Sequence, residues 1–279
     1  MRKLGPWLAA PALVTLAVLA AVPIAGALWQ SLFHETSREP ARFVGLGNYV
    51  QLARDPEVRN SVLFTLQFVG TSVVLELVLG LAAALVLHAK FRGRGLVRAA
   101  VLVPWAIPTV VAAWIWRYVF DDYSGLMTYA SDVSWFSDPF WARTIVIVAD
   151  VWKTMPFTAL LILAGLQTIS DDVIDAARID GAGPWRRFVH VTLPLLRPAL
   201  LVALLFRTMD AFRVFDAVFV MTRGKSGTSV LQFLGYKALF DQGNYGKGAA
   251  ISAVVFLLIA TMTVFYVRSV PSRLMEADR

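Results

Sequence analysis

The chain has no cysteine among its 279 residues. That absence excludes disulfides, thiol nucleophiles and thiolate-held zinc or iron–sulfur centres. Histidine is almost as scarce. His34, His88 and His190 are far apart and no two stand at ligand spacing, so no metal site is expected. Charge is short too: only 16% of residues are Asp, Glu, Lys or Arg, against about 25% in an ordinary soluble domain. Hydrophobic residues make up 58%, with a mean hydropathy of +0.64. A chain of this composition is a membrane protein. Its 26 Lys and Arg against 19 Asp and Glu leave a formal charge of +7. The basic residues mostly sit at the ends of apolar runs, so they read as topology signals and no nucleic-acid partner is expected.

What is present is a series of apolar runs. A helix needs about 20 apolar residues to cross the hydrocarbon core of a lipid bilayer, and six stretches qualify, at about 4–33, 60–89, 99–116, 141–169, 198–222 and 248–267. The first follows Arg2 and Lys3 and imitates a signal sequence, but it is longer than a signal's apolar region of about 7 to 15 residues. It is therefore expected to be a span. The third run contains Pro104 and Pro108. Lys90, Arg92, Arg94 and Arg98 lie between the second and third runs without an acid among them, which assigns that loop to the cytoplasm. Asp121, Asp122, Asp132 and Asp138 mark the next loop as external. Summed over all loops the basic bias is weak, so the orientation, with both termini cytoplasmic, rests on that second loop. No repeat and no linker divides the chain, and residues 1–279 are expected to form a single transmembrane domain.

Some apolar runs carry charges, which cost several kcal/mol each unless partnered or wet. Glu76 stands alone in the second. In the fourth, Asp150, Lys153, Thr154 and Phe157 fall at i, i+3, i+4 and i+7, one face of a helix. Arg207, Asp210, Ala211 and Val214 repeat that spacing in the fifth. Two helices can each offer an opposite-charge pair, Asp150 with Lys153 and Arg207 with Asp210. Such a surface suits a sugar, whose vicinal hydroxyls bond to charged groups in pairs and whose ring rests on apolar faces. Structural ion pairs between helices are the competing explanation, and Arg213 and Asp216 point progressively away from the face.

Between the fourth and fifth runs, residues 171–197 are polar yet patterned. Asp175 to Asp180 has good helical content, Gly181 and Gly183-Pro184 stop it, and a second short helix from Trp185 should end before Pro194. Asp175-Ala176-Ala177, three residues, Gly181, nine residues, then Val191-Thr192-Leu193-Pro194 resembles the EAA motif of permease subunits of bacterial ABC importers. Asp replaces Glu at 175 and Val replaces Ile at 191. Phe43 to Tyr49, Leu102 to Pro108, Trp135 to Pro139 and Asp180 to Pro184 are similar to sugar permeases of the maltose/trehalose type. The group's usual Gly-Gly-Pro after the fifth span is Arg223-Gly224-Lys225 here.

The resemblance implies an all-α membrane protein with six transmembrane helices and a cytoplasmic coupling-helix segment, the type I ABC importer permease fold. It implies residence in the bacterial plasma (inner) membrane, a second permease subunit, two ATPase subunits and an extracytoplasmic sugar-binding protein, with lipid around the spans. Asp175, Ala176, Ala177, Asp180, Gly181, Ala182, Gly183, Leu193 and Pro194 would contact the ATPase. Trp105 and Thr109, beside the two prolines, fall where the family's sugar cavity lies, which joins them to the substrate path. The chain itself is expected to be no enzyme and to bind no cofactor. Gly224-Lys225-Ser226 lacks the upstream glycine of a phosphate loop, since Phe219 holds that place. ATP and Mg belong to the partner ATPase. The alternative is an ion-coupled secondary transporter or channel working alone, with Asp150, Asp210 and Glu76 carrying protons or sodium.

Overall fold

The computed structural model describes residues 5–269. Both termini, assigned above to the cytoplasm, lie outside the described residues. In chain order the elements are α1 (Gly5–Gln30), β1 (Phe33–His34), β2 (Arg42–Phe43), α2 (Gly47–Arg54), α3 (Pro56–His88), α4 (Arg94–Ala106), α5 (Thr109–Val119), α6 (Pro139–Gln167), α7 (Asp171–Ile179), α8 (Pro184–Arg187), α9 (Leu193–Ala211), α10 (Asp216–Met221), α11 (Leu231–Tyr236) and α12 (Tyr245–Ser269). Among the described residues, α1, α3, α6, the stretch Pro184–Met221 and α12 contain segments long and apolar enough to cross a bilayer. The α4–α5 pair makes a sixth span if the two cross as one.

Two of the expected spans change form. The third is bent by 90° between α4 and α5, because Pro108 excludes Ile107 from helical backbone, and Ile107 is extended at φ −73°, ψ 134°. The fifth starts earlier and ends sooner as a single rod. The helical path from Trp185 does not stop before Pro194. Instead α8 runs through a π-turn at Phe188–Thr192 into α9, with the Leu193 N–H reaching back to the Phe188 carbonyl. Pro194 follows that wide turn in the first turn of α9, and the π-turn lets the chain pass a residue that has no N–H to donate. At the other end α9 stops at Ala211, and residues 212–215 break the helix before α10.

The chain divides into two compact units. One comprises the chain up to Ser61 with Leu231–Leu258, the other Val62–Val230 with the chain from Ile259. In the first, β1 and β2 pair antiparallel as Phe33 with Phe43 and His34 with Arg42. The buried Asn48 amide donates to the Ser31 and Phe33 carbonyls, each at 2.8 Å, which ties α2 to the end of α1. Lys247 on α12 donates to Asp55 at 2.8 Å, and this bond holds the Asp55 carboxyl below its ordinary range.

In the second unit α6 is the most enclosed span. Asp138 caps it by accepting from the Phe140 and Trp141 N–H groups at 2.8 and 3.1 Å, and Pro139 opens the first turn. Ala84 and Leu87 of α3, Ile162, Leu163 and Leu166 of α6, and Leu196 and Ala203 of α9 form one buried cluster. The helices approach closely through small residues. A Cβ on Gly80 would meet Thr158, and one on Gly165 would collide with Ala199. Where lipid offers no hydrophobic contrast, such close backbone packing is what holds spans together.

Candidate functional site

Arg207 is the centre of the buried polar chemistry. Its side chain is 2% exposed and lies against Glu76, which is 0% exposed. The guanidinium grips Glu76 side-on, Nε donating to Oε2 and Nη2 to Oε1, the latter at 2.7 Å. Nη1 donates to Asp210, and Nη2 also faces Asp150 at 3.4 Å. The Thr154 hydroxyl lies 2.8 Å from Glu76 Oε1 and 2.6 Å from the Asp150 carbonyl. A lone buried guanidinium would cost several kcal/mol in lost hydration, and only a fully bonded arrangement offsets that. Here α3, α6 and α9 supply it jointly.

One arm of this network opens into a cavity of about 430 Å³, a size typical of small-molecule sites. Trp105, Thr109, Asp150, Lys153, Thr154, Phe157, Arg207, Asp210 and Val214 all line it. Ala211 does not, being 2% exposed in the protein interior. Trp105 from the end of α4 stacks on Phe157 of α6, ring centres 5.7 Å apart and planes 14° from parallel. The bend at Pro108 places Thr109 beside them. Phe206, Arg213, Phe215, Asp216 and Ala217 complete the wall. The break after α9 turns Arg213 and Asp216 back toward the cavity, a direction helical spacing alone does not give.

The pairing differs from the one read within single helices. Arg207 does bond Asp210, but Asp150 faces Arg207 and not Lys153. Among the described residues Lys153 makes no ion pair, so its ammonium remains available to the cavity. Glu76 is the residue that spacing missed. Its one signal was a carboxylate alone in a long apolar run, which requires a partner from another helix.

The segment after α6 is built as a separate surface. Ser170 caps α7 by accepting from the Asp172 N–H at 3.1 Å, and Asp175 pairs with Arg178 at 2.6 Å. At its end the Ala182 N–H bonds the Ala177 carbonyl and the Gly181 N–H the Arg178 carbonyl, both at 3.0 Å. This is a Schellman cap. Gly181 takes the left-handed backbone it demands, φ +78°, with open space where a Cβ would go. Asp175, Ala176, Asp180, Gly181 and Gly183 are exposed, and Ala177, Ala182, Leu193 and Pro194 half-buried. Ile179 and Trp185 stand 87% and 75% exposed. No described cluster of His, Asp or Glu has the makings of a metal site.

The signature of the family described as binding-protein-dependent transport system inner membrane component matches residues 76–274. The chain belongs to that family, as a multi-pass membrane permease. It is 41% identical over 275 residues to the trehalose/maltose transport system permease protein MalF of Thermococcus litoralis, covering 95% of this chain and 93% of that one. To the trehalose transport system permease protein SugA of Mycobacterium tuberculosis it is 42% identical over 273 residues, covering 96% and 88%. Its fold is that of a chain in the crystal structure of a bacterial ABC transporter importing the acidic polysaccharide alginate. The two share 20% identity with a TM-score of 0.80, and 94% of each chain is covered.

Proposed function

We propose that this chain is the transmembrane subunit of an ATP-driven importer for a carbohydrate, a di- or oligosaccharide or a polyol. In this reading the whole chain acts as one permease domain with both termini in the cytoplasm. It pairs with a second permease subunit, receives sugar from an extracytoplasmic binding protein, and relies on two ATPase subunits that bind ATP and Mg. The segment 171–197 docks on an ATPase subunit. ATP closes the ATPase pair, the coupling segments move together, and the cavity opens outward.

The observation that carries this reading is the cavity. It combines a flat aromatic pair, Trp105 on Phe157, with carboxylates and an uncommitted ammonium from Asp210, Asp150 and Lys153. Apolar ring faces and paired hydroxyls are what a sugar presents, and those groups answer both. The exposed Ile179 on the capped helix α7 and the exposed Trp185 on α8 support the docking role, since apolar side chains left bare beside charged ones mark a surface made for a partner. The test is to purify the complex with its external binding protein and measure ATP hydrolysis against a panel of neutral sugars. One sugar class should stimulate hydrolysis through the binding protein. No stimulation by any sugar, with a binding protein that holds another class of solute, would overturn the substrate assignment.

A further inference from the structure

Glu76 does not line the cavity, yet from α3 it bonds two residues that do, Arg207 and Thr154. Both of its oxygens are engaged: Oε2 by Arg207 Nε, Oε1 by Arg207 Nη2 at 2.7 Å and by Thr154 at 2.8 Å. The same guanidinium holds Asp210 by its far edge and faces Asp150. Asp210 is 65% exposed, so its partner inside the protein fixes where its carboxylate sits. A guanidinium held by one oxygen turns about its bonds. Held side-on by two, it has a fixed plane.

With the donors toward Glu76, Asp150 and Asp210 counted, Arg207 has almost no N–H left to offer a ligand. Glu76, Asp150 and Asp210 all turn to this one guanidinium. The arrangement therefore reads as a frame for Asp210 and Asp150, with Arg207 as the frame and Glu76 as its anchor. We propose that Glu76 is a positioning residue for the sugar path: it never touches substrate, and it sets the carboxylates of Asp210 and Asp150 through Arg207. The proposal rests on the cavity reading above.

The external binding protein governs the sugar concentration at which uptake saturates, so the informative readout is sugar delivered per ATP hydrolysed by the reconstituted complex. Glu76→Gln keeps shape and volume but gives up half of the side-on grip. Its complex should assemble, because Arg207 retains Asp150 and Asp210, and should deliver roughly tenfold less sugar per ATP, the scale expected when a binding group is misplaced. Glu76→Asp, which keeps both oxygens on a shorter stem, should recover part of the loss. An assembled Glu76→Gln complex with unchanged sugar per ATP overturns the proposal. If that variant fails to assemble, Glu76→Asp, which keeps the charge and both oxygens, decides. Assembly with low sugar per ATP then supports positioning, while normal delivery, or continued failure to assemble, overturns it. Asp210→Ala run in parallel separates the two levels. Normal uptake by Asp210→Ala overturns the cavity itself, whereas loss there with normal Glu76→Gln overturns only the role of Glu76.

Discussion

At the scale of the residue, the account depends on which intramembrane charges face the cavity and which hold the helices. Asp210→Ala removes a mostly exposed carboxylate and leaves Arg207 bonded to Glu76 and facing Asp150. The complex should therefore assemble and lose sugar uptake. If the complex instead falls apart, the pair is structural and the cavity reading fails. Glu76→Ala is expected to behave differently, costing roughly 3 to 5 kcal/mol through a buried guanidinium that has lost its main partner, read as reduced yield of assembled complex. The faces of α6 and α9 were legible because i, i+3 and i+4 spacing puts Asp150 with Phe157 and Arg207 with Asp210 on one side of a helix. Glu76 was not, since its partner is 131 positions away and no spacing within one helix points to it. Ala211 fits the spacing and still faces inward, because α9 ends there and the cavity wall resumes with the turned-back residues 213–217.

Elements were legible in proportion to their length. Helices of twenty or more apolar residues cannot hide, whereas α2, α11 and the two-residue strands β1 and β2 are too short to carry a period and take their form from tertiary bonds such as those of Asn48. The kink at Pro108 was marked by the two prolines, but its 90° angle was not, and the continuity through Pro194 depended on a π-turn that sequence does not announce. Gly181 is the case where sequence and geometry coincide. Its Cβ would meet nothing, so the constraint is the left-handed backbone alone. Gly181→Val should therefore unmake the Schellman cap at roughly 1 to 2 kcal/mol and uncouple ATP hydrolysis from uptake, while Gly181→Asn, which tolerates that backbone, should retain most coupling. Equal transport by both variants would show that the cap does not transmit. A second element-scale test concerns Asp55 and Lys247. The folded value of Asp55 lies below its unfolded one because Lys247 donates to it, so the stabilisation is complete above the unfolded value of about 3.9 and is lost as pH falls through the folded value. The difference in thermal midpoint between the parent and Asp55→Asn should hold steady at neutral pH and shrink in acid. A difference that persists unchanged well below pH 3 would contradict the pairing.

For the whole molecule, the absence of cysteine makes topology directly measurable. Cysteines placed at Ser124 and Lys225, both exposed, should react with an impermeant reagent from outside, and one at Trp185 only from the cytoplasmic side; the reverse pattern would invert the orientation. Function at this scale was readable because the motif from Asp175 to Pro194 has fixed spacing over a long stretch, and the family signature and relatives bear out the permease class it pointed to. The particular sugar was not, since hydroxyl recognition needs only generic polar groups and leaves no signature in sequence. The most direct test of the central claim is uptake of radiolabelled sugar into proteoliposomes containing the chain with the companion permease and ATPase subunits proposed above. Uptake should require both the external binding protein and ATP on the ATPase side, and should be indifferent to collapse of proton and sodium gradients. Uptake by this chain alone, driven by such a gradient and needing no ATP, would contradict the account and favour an ion-coupled transporter.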